Sequence, residues 1–294
     1  DANTTGSNNV AMGNGALGAN TTADNNVAIG KGAMILNTTG AANVAVGYYA
    51  LGGGSNNSGS NNTALGPNAM FGNTTGAGNV AVGNTAMYVN TTGTRNIAIG
   101  MNAYNSSDTE NDNLAIGYDA MTTDTAGGQY NVAIGNYALD ALTSGDNNVA
   151  LGYGALTDNT TGGKNTATGT SALGNNTTGG ENVAVGALSL FTNTTASYNT
   201  AVGTSALTDN TTGASNTGVG RMALYENTTG SNNTSVGMNS MLDNTTGASN
   251  TAIGESALGN NTTADNNTSV GKGSLGTNTT GADNVAVGFT ALTA

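Results

Sequence analysis

The chain has no cysteine, no histidine and no tryptophan, and its 294 residues include one proline, three phenylalanines and five lysines or arginines. Without cysteine there are no disulfide staples and no thiolate metal sites, although the redox compartment stays open. Without histidine or cysteine, and with no acid recurring beside a serine, catalysis has almost nothing to stand on, and no enzyme is expected. The five basic residues face seventeen acidic ones, for a formal net charge of -12. That balance repels phosphate backbones and leaves no basic stripe to track them, so no nucleic acid partner is expected. Nothing approaches the ~18 consecutive apolar residues of a membrane span, which argues against membrane insertion. The sequence opens at Asp1 with neither an initiating Met nor a signal peptide, as expected of a processed chain or a segment of a longer one.

What is present is repetition. A pentapeptide of Asn, an aliphatic or Thr, a small residue, an aliphatic and Gly, as in Asn26-Val27-Ala28-Ile29-Gly30, recurs seventeen times. Its glycines are Gly13, Gly30, Gly47, Gly66, Gly83, Gly100, Gly117, Gly135, Gly152, Gly169, Gly186, Gly203, Gly220, Gly237, Gly254, Gly271 and Gly288, spaced by 17 residues apart from one step of 19 and one of 18. So short and regular a repeat is the coil of a solenoid, in which each unit contacts its neighbours. A single repetitive body over 1–294 is expected, with longer loops near 52–60 and 122–130, where Gly52-Gly53-Gly54-Ser55 and Thr125-Ala126-Gly127-Gly128 mark the insertions. Both look like tolerated loops. Richness in Gly, Ser and Asn also marks disordered chains, but strict placement of the aliphatics argues against disorder.

The residues three and one before each Gly share a strand face, as Val27 and Ile29, Val44 and Val46, Ile97 and Ile99, or Val183 and Val185 do. These are expected to fill the interior, with Ala28 and its equivalents facing away. A second apolar position lies four after the Gly: Leu17, Met34, Leu51, Met70, Met87, Leu156, Leu207, Leu258 and Leu292, with Tyr104 the largest exception. Two short strands per coil fit these positions. Helix is the rival, but the apolar clusters are too short for three turns, and Asn, Thr and Gly fill the gaps. Coils of constant length stack like on like, so parallel stacking is favoured over a meander of hairpins. The expected fold is all-β, a parallel β-solenoid or β-roll of about seventeen 17-residue coils, about 80 Å long at ~4.8 Å per layer. No cofactor is implied.

Asn stands four before the Gly in every unit: Asn9, Asn26, Asn43, Asn62, Asn79, Asn96, Asn113, Asn131, Asn148, Asn165, Asn182, Asn199, Asn216, Asn233, Asn250, Asn267 and Asn284. Stacked amides can bond one another or cap the turn, so this column reads as structural. Small residues form two more columns: Ala11, Ala28 and Ala45 with Gly218, Ser235 and Ser269 as variants, and Ala16, Ala33 and Ala50 with Ser189, Ser240 and Ser274. An outward alanine stripe suits lateral packing of a second sheet or chain. The triplet Asn-Thr-Thr begins at Asn3, Asn20, Asn37, Asn73, Asn90, Asn159, Asn176, Asn193, Asn210, Asn227, Asn244, Asn261 and Asn278. It reads as a turn, and each asparagine from Asn20 onward is a candidate glycosylation site.

Tyr48, Tyr118 and Tyr153 lie beside the Gly turn, with Tyr88 and Tyr225 elsewhere, a weak basis for a surface carbohydrate partner. Asp108, Glu110 and Asp112 offer oxygen ligands for calcium, but the helix-loop-helix pattern is absent and surface solubility is the simpler purpose.

Asn26-Val27-Ala28-Ile29-Gly30 with Ala33-Met34, and its equivalents through Asn284-Val285-Ala286-Val287-Gly288, resembles the head repeats of bacterial trimeric autotransporter adhesins and related repeats of phage tail fibres. The likeness covers nearly all of the chain, although its 17-residue coil is longer than the adhesin norm. It implies a left-handed parallel β-roll, commonly trimeric, on a cell surface or virion and engaged in adhesion. The expected function is therefore the subunit or shaft of an extracellular fibre or surface appendage, with adhesion as an addition and a phage tail-fibre segment as one form of it. Ice binding is the alternative from another class, because β-solenoids can present flat threonine arrays. The paired threonines such as Thr21-Thr22 are adjacent, however, and a strand would point them to opposite faces. Both termini fall at nearly the same phase of the coil, so end-to-end self-association into a filament is expected as well.

Overall fold

A computed structural model of the protein describes residues 2–54, 57–106, 108–123 and 127–293. The expected loops near 52–60 and 122–130 lie partly outside the described residues, at Ser55, Asn56, Asp124, Thr125 and Ala126. The chain divides into two compact units, Asp1–Asn147 and Asn148–Ala294. The first holds β1 (Val10–Met12), β2 (Val27–Ile29), β3 (Val44–Val46), β4 (Thr63–Leu65), β5 (Val80–Val82), β6 (Ile97–Ile99), β7 (Leu114–Ile116) and β8 (Val132–Ile134). The second holds β9 (Val149–Leu151), β10 (Thr166–Thr168), β11 (Val183–Val185), β12 (Thr200–Val202), β13 (Thr217–Val219), β14 (Thr234–Val236), β15 (Thr251–Ile253), β16 (Thr268–Val270) and β17 (Val285–Val287).

Within each unit the strands pair in chain order, in parallel, one coil apart. Val27, Ala28 and Ile29 lie opposite Val44, Ala45 and Val46, and Thr217, Gly218 and Val219 lie opposite Thr234, Ser235 and Val236. Each unit is thus a parallel β-solenoid, as the period predicts, and no helix occurs among the described residues. Hydrogen bonding between layers does not stop at the strands. The corner amides bond the neighbouring coil too, as in Leu207 N to Ala223 O (3.0 Å), Thr228 N to Thr245 O (2.9 Å) and Ser249 N to Ser231 O (3.0 Å). A coil alone has none of these partners, so repetition is a condition of folding.

Two expectations are corrected. The strand face is inverted: Ala98 is 0% exposed, whereas its neighbours Ile97 and Ile99 are each 37% exposed. The interior of a coil is narrow, and the Leu or Met four after the Gly already fills it. A Cβ added at Gly218 would sit 3.3 Å from Leu207 Cδ1 and 3.2 Å from Ala223 O, so this position faces the leucine with room for little more than a methyl group. Where serine takes the place, its hydroxyl turns inward, Ser235 donating to Ser240 O at 2.8 Å and Ser269 to Ser274 O at 2.7 Å. Alanine is therefore the core residue of the strand, and Val and Ile are its surface.

The second correction concerns the expected second strand. Among the described residues each coil has one strand, and the Ala-Leu or Ala-Met segment is a turn in which the large residue is left-handed, with φ of 50° at Met34, 53° at Leu207 and 51° at Leu258. Left-handed residues recur two after the Gly, as at Asn68, Asn102 and Ser205, and five before it, as at Asn25, Asn61 and Asn232. A 17-residue loop closes on so small a core by bending this often. Burial of the Leu or Met and its interlayer bond offset the unfavourable φ. The closing Gly is required by space as well as by φ: at Gly100 (φ 136°) a Cβ would come within 2.2 Å of Gly117 O in the next layer.

Candidate functional surface

Two columns of asparagine run through each unit, and all but Asn3, Asn9, Asn278 and Asn284 are buried. In the first, each backbone N–H donates to the side-chain oxygen of the preceding coil's asparagine, as Asn26 does to Asn9 Oδ1 (2.9 Å) and Asn199 to Asn182 Oδ1 (2.9 Å). The side-chain nitrogen then donates to a carbonyl of the following coil, Asn26 Nδ2 to Gly40 O at 3.0 Å and Asn199 Nδ2 to Gly213 O at 2.9 Å. The side-chain amide thus bonds the following coil at both ends while the backbone N–H of the same residue bonds the preceding one, which explains why no other residue replaces it.

The second column is the asparagine of Asn-Thr-Thr. From Asn159 through Asn278 in the second unit it forms an unbroken amide-to-amide ladder: Asn176 Nδ2 to Asn159 Oδ1 (2.8 Å), Asn193 to Asn176 (2.8 Å), Asn210 to Asn193 (3.0 Å), and onward through Asn227, Asn244 and Asn261. Each Nδ2 also bonds a carbonyl three residues ahead, as Asn193 does to Ala196 O at 3.0 Å. Asn20, Asn37, Asn73, Asn90, Asn159, Asn176, Asn193, Asn210, Asn227, Asn244 and Asn261 are all buried, and Asn278 is half-buried. The nitrogen that a glycan would substitute is therefore inside the stack, committed to the ladder. The first threonine of the triplet joins the wall, as in Thr211 Oγ1 to Thr228 O (3.0 Å), while the second, such as Thr212, is exposed.

In the first unit Glu110 and Tyr104 add buried polar contacts of their own. The buried Glu110 carboxylate turns back to accept the N–H groups of Asp108 (2.9 Å) and Thr109 (3.0 Å). Tyr104 replaces leucine in the core, its hydroxyl accepting from Asn113 Nδ2 at 2.6 Å. The acidic trio does not converge. Asp112 takes the Arg95 guanidinium at 2.6 and 2.7 Å, and those hydrogen bonds hold its carboxyl below the ordinary value. Among the described residues, no three acidic side chains gather in a way that would hold a metal ion. No helix among them is long and apolar enough to cross a membrane.

Of the tyrosines singled out by sequence, Tyr48 and Tyr88 fall in one aromatic cluster. Phe71 and Tyr88 stack at 5.2 Å between centroids, with Tyr49 edge-on to Phe71 (6.3 Å) and to Tyr48 (4.6 Å). Phe71 lies one period of 17 before Tyr88, so the repeat stacks these two rings, whereas Tyr49 and Phe71 stand at different positions of the coil and spacing alone gives no sign of their contact. Tyr118 packs edge-on against Tyr137, and its hydrogen bond to Asp119 raises its pKa.

What each unit shows to solvent most regularly is the outer strand face. In the Asp1–Asn147 unit it is almost wholly aliphatic, with Val27 and Ile29, Val44 and Val46, Val80 and Val82, Ile97 and Ile99, Leu114 and Ile116, and Val132 and Ile134, interrupted by Thr63. In the Asn148–Ala294 unit threonine enters at Thr166 and Thr168 and then at Thr200, Thr217, Thr234, Thr251 and Thr268. Neither face bears a charge. No protein-family model matches the chain, and no curated protein matches it. The architecture is that of repeat-type solenoid proteins in general.

Proposed function

We propose that the chain is a non-catalytic structural segment, the shaft of an extracellular fibre or of a cell-surface or virion appendage, whose copies associate through the aliphatic strand face of the Asp1–Asn147 unit. The observation that carries this reading is that face: branched aliphatics stand outward in successive layers at a spacing set by the backbone, with small alanines inside. Water covers them at a cost of ~25 cal/mol per Å², and columns this regular exceed the scattered apolar residues of an ordinary surface. A second copy is the occupant that fits, since only an identical repeat offers an aliphatic at every layer with the same period. The likeness of Asn26-Val27-Ala28-Ile29-Gly30 to adhesin-head and tail-fibre repeats points the same way, with three copies around one seam as its implied form. Axial growth is compatible with this, because every coil offers the next the same parallel pairing, as Val27–Ile29 does to Val44–Val46.

The absence of native cysteine makes the test direct. Ile99→Cys, on the outer face, is expected to yield disulfide-linked copies under mild oxidation, whereas Thr92→Cys, on the exposed corner of the same coil, is not. A folded Ile99→Cys protein that stays unlinked, or links no better than Thr92→Cys, would remove the reading.

A further inference from the structure

The outer face of β12–β16 differs in chemistry from the aliphatic face just described. Thr200, Thr217, Thr234, Thr251 and Thr268 lie directly opposite one another in five consecutive parallel strands, and two residues on, Val202, Val219, Val236, Ile253 and Val270 form a second column. Both columns are solvent-accessible, and the residue between them is buried. The adjacency that argues against a threonine lattice holds for the Asn-Thr-Thr corner but not here, where hydroxyl and branched methyls alternate on one face.

The hydroxyls of these five threonines are also uncommitted. The first threonine of each Asn-Thr-Thr spends its Oγ1 on a carbonyl of the next coil, as Thr211, Thr228 and Thr245 do at 2.9–3.0 Å. No such bond engages Thr200, Thr217, Thr234, Thr251 or Thr268 among the described residues, so nothing in the wall requires a hydroxyl there. Valine occupies the same position at Val183 and Val285 with the same pairing. The array is held rigid from behind, since Thr217 N bonds Asn233 O, Thr234 N bonds Asn250 O and Thr251 N bonds Asn267 O, each at 2.8 Å.

We propose that this threonine–valine face binds the surface of ice. A charged ligand has no counter-charge here, in a chain whose net charge is -12. A protein partner lacking the same period would meet one or two coils in register and miss the rest. A crystal of water meets all five: hydroxyls repeat at ~4.8 Å across the strands, with branched methyls ~6.6 Å away along them. Both steps are of the order of the oxygen repeats on a prism face of hexagonal ice. The hydroxyls enter the lattice as donors and acceptors, and the methyl groups order the water between them. The idea does not depend on lateral association, which uses the aliphatic face of the other unit.

The full chain is tested for thermal hysteresis and for shaping of a single ice crystal, beside the double variant Thr217→Lys/Thr251→Lys and the corner control Thr212→Lys/Thr246→Lys. Folding of each is checked by circular dichroism, and mass by light scattering. Hysteresis and faceting are expected in the wild type and the corner control, and at least a tenfold lower hysteresis in the strand-face variant. Absence of faceting by the folded wild type, retention by the strand-face variant, or equal loss in both variants would overturn the proposal. The masses report on lateral association separately.

Discussion

At the scale of single residues, the strand pentapeptide is decided by volume. Ala98 is the core residue and Ile99 the surface one, although hydropathy alone ranks them the other way. Sequence alternation correctly groups Ile97 with Ile99 on one face, but it cannot say which face is inside, because that depends on how much of the interior Met87, Tyr104 and their equivalents take up. Ala98→Leu is therefore expected to overpack the coil at a cost of ~1–3 kcal/mol, while Ile99→Thr stays within ~0.5 kcal/mol. Chemical denaturation of the two variants reads the difference, and the reverse ranking would mean the face is assigned wrongly. A second residue-level effect is electrostatic. Partial burial raises the pKa of Asp209 by penalising its charged form. Its favourable contribution is present below the unfolded carboxylate value of ~3.9 and is lost as pH rises through the raised folded value. Asp209→Asn should accordingly raise the melting temperature at pH 7 and leave it unchanged near pH 3, as a pH series of melts would reveal.

At the scale of one coil, a single strand and a run of left-handed turns are held to their neighbours by asparagine. The strictness of Asn182 and Asn199 in the sequence marked a structural column, but the form of the bond was hidden. Side chain bonds to backbone in the strand column, while amide bonds to amide from Asn159 to Asn278. The left-handed conformation at Leu207 or Met34 was not legible either, because these residues give no local signal for it; closure of the loop and burial impose it. Asn199→Ala would leave Asn216 N without its acceptor, while Gly213 O keeps the Asn210 Nδ2 donor. The orphaned amide costs ~1–3 kcal/mol. Hydrogen exchange should show the loss concentrated in the coils holding β11–β13, with coils further away protected as in the wild type. A uniform loss across the Asn148–Ala294 unit would contradict coupling that passes only between neighbouring layers.

At the scale of the whole molecule, a constant coil length made the parallel solenoid readable directly from the period, and the interlayer bonds bear that out. The functional surface was not readable in the same way. Lateral packing was expected on the alanine stripe, and the alanines prove to be inside, so the surface offered to another copy is the aliphatic one. The most direct measurement of the account is the mass of the full chain by sedimentation equilibrium, compared with Ile97→Lys/Ile99→Lys over a range of concentrations. The account predicts a concentration-dependent multimer for the wild type and a folded monomer for the variant. A wild type that is monomeric throughout, or a variant that associates just as strongly, would contradict it.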